Sequence, residues 1–332
     1  MAKGMNIERK INVIIDCDPG VDDSAAIALS FYDEVMNIRL ITTVCGNLGL
    51  DVVTRNMLHL ATLFKRKDIP IAAGADKAMF RVSPDASFIH QSTGMGGYIP
   101  PKTVKHKVIE QDAVEAMYET IKKYKNDIVI IGLGPHTNIA TLIKLHPDVV
   151  GMVNRIYTEG CNPYSSNKTT RWSQYISFNA SSDPEAVQIV LESGIPITYV
   201  NSSMGRELAN FTEEEVYSMA EINDVGKFLC AMYSGYWEHN YPDRRVATND
   251  TCAVLSLRFP HLFKTRKVKF EINTTDEPGK TTIIPYKKGN VDFVYKVNKR
   301  RMHEYFFRAI KKLDFIKIKG IDKQLTHKQK VW

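Results

Sequence analysis

Ile11-Asn-Val-Ile-Ile-Asp16-Cys-Asp18-Pro-Gly-Val-Asp22-Asp23-Ser-Ala-Ala-Ile-Ala-Leu-Ser-Phe31 decides the reading of this chain. The apolar run Ile11–Ile15 reads as a buried parallel strand, Pro19-Gly20 as a turn, and Ser24–Phe31 as a helix. Four carboxylates, Asp16, Asp18, Asp22 and Asp23, therefore crowd where a strand ends and a helix begins. Like charges a few ångströms apart raise one another's pKa and oppose compaction, a cost that a hard cation removes. In open α/β sheets the carboxyl end of a strand is also where ligands bind. The expectation is a metal-dependent enzyme.

Outward from this stretch, short apolar strands alternate with amphipathic helices. Strands are expected at Ile11–Ile15, Ile38–Val44, Ile128–Ile131, Arg155–Thr158 and Ile195–Val200, and helices at Asp51–Lys65, Gln111–Tyr124, Thr137–Leu145 and Pro184–Glu192. That rhythm predicts a doubly wound, mainly parallel α/β sheet with helices on both faces. Beyond residue 260, Val268–Thr274, Lys280–Pro285 and Asp292–Val297 read as a short antiparallel extension, followed by a helix at Lys299–Lys312. Two segments without periodicity, Phe80–Pro101 and Cys161–Ser177, have the length and composition of binding loops. The expected organisation is one domain over residues 1–312 and a basic tail over 313–332.

Composition narrows the function classes. The chain has 332 residues, 44% of them hydrophobic, enough for a large core. No stretch is long and apolar enough for a membrane span, and the first ten residues lack a signal-peptide core. Five scattered cysteines, Cys17, Cys45, Cys161, Cys230 and Cys252, show no Cys-x-x-Cys spacing, which argues against a zinc cluster and for a reducing compartment, the cytoplasm. Of the net charge of +7, the stretch from Lys311 to Trp332 carries seven lysines against Asp314 and Asp322. Without a recognisable nucleic-acid module, such a tail does not argue for nucleic acid as a partner.

A bare Asp-x-Asp after a strand is similar to the start of haloacid-dehalogenase-type phosphatases, which keeps a metal-dependent phosphatase as one alternative. The second acidic pair inside the same loop points elsewhere. The run from Asp16 through Asp23 resembles the N-terminal fingerprint of the nucleoside hydrolases, the inosine-uridine-preferring N-ribohydrolases. Further segments resemble the same family in the same order. They are Ile41-Thr-Thr-Val-Cys-Gly46-Asn47, Ile89-His90-Gln-Ser-Thr-Gly-Met95-Gly, Leu133-Gly-Pro-His-Thr137-Asn138-Ile-Ala, Phe178-Asn179 with Asp183-Pro-Glu-Ala, and Asn249-Asp250-Thr-Cys-Ala-Val.

The resemblance implies calcium-dependent cleavage of the N-glycosidic bond of ribonucleosides, in base salvage, by a homodimer or homotetramer. It implies that Asp18, Asp23, Asp250 and the backbone carbonyl of Leu133 hold Ca2+, with Asp18 also the general base toward the attacking water. It assigns Asp22, Asn47, Asn179 and Asp250 to the sugar hydroxyls, leaves Asp16 to orient its neighbours, and brings His90 into the site. Two departures stand out. Asn249 occupies the place where many purine-cleaving members carry a histidine beside the departing base, and asparagine donates a hydrogen bond but no proton. Ser177 stands where the family often has a glutamate for the 5′ hydroxyl, and Lys168, Arg171 and Trp172 precede it. His90, Tyr164, Trp172, Tyr175 and Tyr236 are candidates to assist the leaving base. Asn249 also keeps open a family member that binds nucleosides but hydrolyses them poorly.

Overall fold

The computed structural model describes residues 9–82, 86–162, 176–240, 244–285 and 289–325, with backbone alone at 237–240 and 285. Nine strands form one sheet: β1 (Ile11–Cys17), β2 (Met36–Thr43), β3 (Ile71–Ala73), β4 (Ile128–Gly132), β5 (Arg155–Cys161), β6 (Ile197–Asn201), β7 (Phe263–Ile272), β8 (Thr281–Pro285) and β9 (Val291–Val297). Their spatial order is β3-β2-β1-β4-β5-β6-β9-β7-β8. Strands β1 to β6 and β9 pair in parallel, and β7 runs antiparallel to both β9 and β8. The expected antiparallel extension is thus continuous with the main sheet, joined to it through β9.

Helices are α1 (Val21–Ser30), α2 (Leu50–Leu63), α3 (Ser87–His90), α4 (Ala113–Tyr124), α5 (Thr137–Leu145), α6 (Phe178–Ser182), α7 (Pro184–Glu192), α8 (Glu213–Ala220), α9 (Asp224–Asn240), α10 (Asn249–Arg258) and α11 (Lys299–Lys312). They cover both faces. Residues of α1, α2, α9, α10 and α11 share one core with Val13, Ile15 and Cys17 of β1, while α4, α5 and α7 share the other with Ile14. This is the alternation a strand buried on both sides must show. It decides the fate of Asp16, which follows the side of Ile14 and faces α5.

The sequence order reverses between β1 and β4, the switch point at which a doubly wound sheet opens a crevice beyond its carboxyl ends. The loops after β1, β2, β4, β5 and β6 all converge there. Leu313, Ile316, Ile318, Ile321 and Leu325, although part of the basic tail, are buried in the core shared with α9 and α11. Within 313–325 the tail's lysines alternate with apolar residues that dock.

Candidate active site

A pocket lies at the switch point, lined among others by Asp22, Asp23, Asn47, His90, Asn179 and Asp250. Its floor is acidic. Carboxylate oxygens of Asp22, Asp23 and Asp250 lie within 4.8 Å of one another, all three side chains buried. Asp22 and Asp23 come from the first turn of α1, and Asp250 from the first turn of α10, so the amino ends of two helix dipoles meet these charges.

Asp18 is fully buried just past the end of β1. Its Oδ2 accepts the Asn47 N–H at 2.7 Å, and Asp23 receives the Asp18 N–H at 3.2 Å. Among the described residues, Asp18 Oδ1 has no hydrogen-bond partner. The two glycines around it explain how the carboxylate fits. A Cβ on Gly46 would stand 2.1 Å from Asp18 Oδ2, and one on Gly134 would stand 2.8 Å from Oδ1. Only bare backbone passes so close.

Burial, first, and then mutual repulsion push these acids upward: Asp18 and Asp250 well above the ordinary carboxylate range, Asp22 to about 7. Three converging buried carboxylates, with an unpartnered buried oxygen in the layer beneath, are costly unless a cation completes the set. The all-oxygen donor set suits a hard divalent ion.

Asp16 stands behind this floor. It is fully buried, and its Oδ1 accepts from Thr42 Oγ1 at 2.6 Å and Asn138 Nδ2 at 2.8 Å, tying β1 to β2 and α5. Burial raises its pKa to about 6, opposed by those two hydrogen bonds.

Around the rim the polar groups are oriented by the backbone. Asn47 Nδ2 donates to the Asp18 carbonyl and to Asp23 Oδ2, both at 3.0 Å. Asn179 Nδ2 donates to the Leu133 carbonyl and to Glu159 Oε1, both at 2.6 Å. Gly205 N–H donates to Asn249 Oδ1 at 3.1 Å, which leaves the Asn249 amide nitrogen as its free donor. Val21 N–H donates to His90 Nδ1 at 3.1 Å, so the ring proton sits on Nε2. Burial, helped by Arg206, lowers the His90 pKa to about 3. The ring is therefore neutral at physiological pH and offers a hydrogen bond, not a cationic acid. Tyr236 packs beside it, ring centroids 5.6 Å apart.

The structure brings together Asp22, Asp23, Asn47, His90, Leu133, Asn179, Asn249 and Asp250 in one pocket, with Asp18 and Asp16 in the layer beneath. Asp22, expected on the sugar, also shares the carboxylate cluster. Ser177 and Tyr236 line the pocket, whereas Tyr164, Lys168, Arg171, Trp172 and Tyr175 lie outside the described residues. Two charged lining residues escaped the sequence reading: Glu159 at the end of β5 and Arg206 in a π-helical turn at Met204–Leu208. For Glu159 a single acid near the end of an expected strand is no distinctive signal. For Arg206 the sequence holds none.

An acidic pocket at the switch point of a doubly wound sheet, polar around its rim, has the chemistry to hold a small polar substrate over a hard cation. The chain belongs to the inosine-uridine preferring nucleoside hydrolase family, whose profile matches residues 13–304. It is an enzyme that acts on the N-glycosyl bonds of nucleosides. It is 30% identical over 278 residues to the non-specific ribonucleoside hydrolase RihC of Escherichia fergusonii, covering 83% of this chain and 88% of the relative. It is 30% identical over 258 residues to the pyrimidine-specific ribonucleoside hydrolase RihA of Escherichia coli O1:K1, covering 76% and 81%. Among solved structures, the purine-preferring ribonucleoside hydrolase from Gardnerella vaginalis superposes with a TM-score of 0.83 at 25% identity, over 92% of this chain and all of that one.

Proposed function

We propose that this chain is a calcium-dependent hydrolase that splits ribonucleosides into free base and ribose. The observation that carries the reading is the convergence of carboxylate oxygens from Asp22, Asp23 and Asp250, with the buried Asp18 Oδ1 beneath them unpartnered among the described residues. Asp18, Asp23, Asp250 and the Leu133 carbonyl would hold the ion, with Asp22 near enough to share it. Calcium, which accepts roughly six to eight oxygen ligands at flexible angles, supplies Lewis acidity toward the attacking water when bound.

The chain's own groups do the rest. Asp18 takes the proton of the attacking water. Asp22, Asn47, Asn179 and Asp250 grip the sugar hydroxyls and set the pentose over the acidic floor, where negative charge favours the oxocarbenium character of the transition state. Asn249 turns its amide N–H, and His90 its Nε2–H, toward the pocket as neutral donors for the departing base. Neither delivers a proton at neutral pH, so what these two residues supply to the departing base is a hydrogen bond.

The named relatives span purine-preferring, pyrimidine-specific and non-specific enzymes, so the decisive assay uses both base classes. Purine and pyrimidine ribonucleosides are scored for released reducing sugar with and without chelator. Calcium-restored sugar release supports the reading. Phosphate release from phosphoesters, or tight nucleoside binding without any sugar release, refutes it. Base salvage is the role we assign to that activity, and a reducing compartment such as the cytoplasm suits five cysteines, Cys17, Cys45, Cys161, Cys230 and Cys252, none of which is disulfide-bonded. A homodimer or homotetramer fits the exposed apolar side chains Phe80, Val82 and Phe88, and a monomer by light scattering would refute that part.

A further inference from the structure

We propose that Glu159 is a specificity-determining residue of this pocket, a carboxylate that locks Asn179 with one oxygen and receives a hydroxyl of the bound sugar with the other. The assignment rests on the nucleoside-hydrolase reading above and adds a residue to it.

Backbone geometry is the first support. Register between β5 and β6 shifts between Glu159 and Cys161, and Gly160 there has φ +112°. Bulges of this kind re-aim a side chain next to a binding site. A Cβ at Gly160 would stand 2.8 Å from the Cβ of Asn179, so only glycine lets α6 approach this closely. The bulge thus sets Glu159 against Asn179 at the pocket wall.

The second support is the hydrogen bonding. Asn179 Nδ2 is shared between Glu159 Oε1 and the Leu133 carbonyl, both at 2.6 Å. Two acceptors fix the amide's orientation without ambiguity. Both N–H groups are spent on the protein, so Asn179 presents its carbonyl oxygen to a ligand. The Glu159 carboxylate has a second oxygen, and the residue lines the pocket at 6% exposure. Asn179 therefore offers an acceptor, and the second Glu159 oxygen accepts from or donates to a hydroxyl according to its proton, a pairing that matches sugar hydroxyls rather than phosphates.

The third support is charge. Burial, and then the charges of Asp22 and Asp23, raise the Glu159 carboxyl to about 8, a shift that Arg206, lining the same pocket, opposes only in part. Removing either partner of the Glu159–Asn179 bond would leave a buried polar group unmatched. A site that hydrogen-bonds a hydroxyl rejects the analogue lacking it, because its acceptors are then unpaired.

The test compares the wild type with Glu159→Gln and Glu159→Ala on the ribonucleoside the wild type cleaves best and on its 2′-, 3′- and 5′-deoxy analogues. Calcium affinity of each protein is measured alongside by calorimetry. The expected result is a drop in kcat/KM on the parent nucleoside of about 10- to 100-fold for Glu159→Ala, the size of leaving buried hydrogen-bonding groups unmatched. On one deoxy analogue that loss shrinks to a few-fold, because the wild type already lacks the bond there. Glu159→Gln, which still accepts the Asn179 N–H, recovers part of the loss with calcium affinity unchanged. An equal fold-loss on every analogue would overturn the proposal, whichever variant folds. A wild type that releases no sugar from any nucleoside refutes the catalytic reading instead, and nucleoside affinities of the same variants then decide the role of Glu159.

Discussion

Asp18 shows how a single side chain acquires its role from what surrounds it. Its carboxylate is out of water, one oxygen is held by the Asn47 N–H, and the other finds no hydrogen-bond partner among the described residues. Gly46 and Gly134 leave the room that such a group needs. Asp18→Ala should remove both the acceptor of the water's proton and one ligand of the cation. The expected outcome is loss of at least about 10²–10⁴ in turnover, the usual contribution of general base catalysis, with weakened calcium binding by calorimetry. A calcium-replete, active Asp18→Ala protein would sink the assignment. The carboxylate's fate was readable because four acids at a strand end are a pattern. Glu159 was not, because one acid in Tyr-Thr-Glu-Gly forms no pattern until the bulge turns it inward.

Elements differ in legibility for the same kind of reason. Strands β1, β4 and β6 lie where short apolar runs place them, and α5, α7 and α11 have the expected bounds. Helix α9 was missed because Val225, Phe228, Leu229, Cys230, Ala231, Met232 and Tyr233 are all fully buried, so no polar face marks a period. Helix α10 is buried nearly all round as well, and β3 is three residues long. Helix α8 begins with a capping box, Thr212 to Glu215, whose acid also binds His303 of α11 at 2.8 Å. Burial opposes ionisation of Glu215, but the His303 bond and the Thr212 N–H outweigh it and hold the carboxyl at about 2. A depressed acid stabilises the fold above its unfolded pKa, about 4.5 here, and that stability is lost as pH falls from there toward 2. Glu215→Gln keeps the cap and removes the titration. The wild-type advantage in urea midpoint should therefore shrink between pH 5 and pH 2.5, by on the order of 1 kcal/mol given the side chain's one-third exposure. Parallel pH curves for the two proteins would exclude a role for this contact.

At the scale of the whole molecule, the pocket is the point where distant parts of one sheet meet. Asp18 and Asp250 are brought together by the parallel pairing of β1 with β4 and by α10 packing under β5 and β6. The fold buries several like charges at this junction and is destabilised by them in proportion to their ionisation. A cation that binds only the folded chain reverses that effect by mass action, by about 2.7 kcal/mol when calcium stands a hundredfold above its Kd. For a chain of this size the corresponding rise in Tm is roughly 3–8 °C. Chelation should therefore abolish sugar release and lower Tm together, and added calcium should restore both over the same concentration range. In Asp250→Asn one ligand charge is gone, so the calcium-dependent rise in Tm should be smaller and the chelated protein more stable than chelated wild type, because a buried repulsion has been relieved. A Tm indifferent to calcium in the wild type, with activity intact after chelation, would show that these buried carboxylates are balanced by protons rather than by a metal.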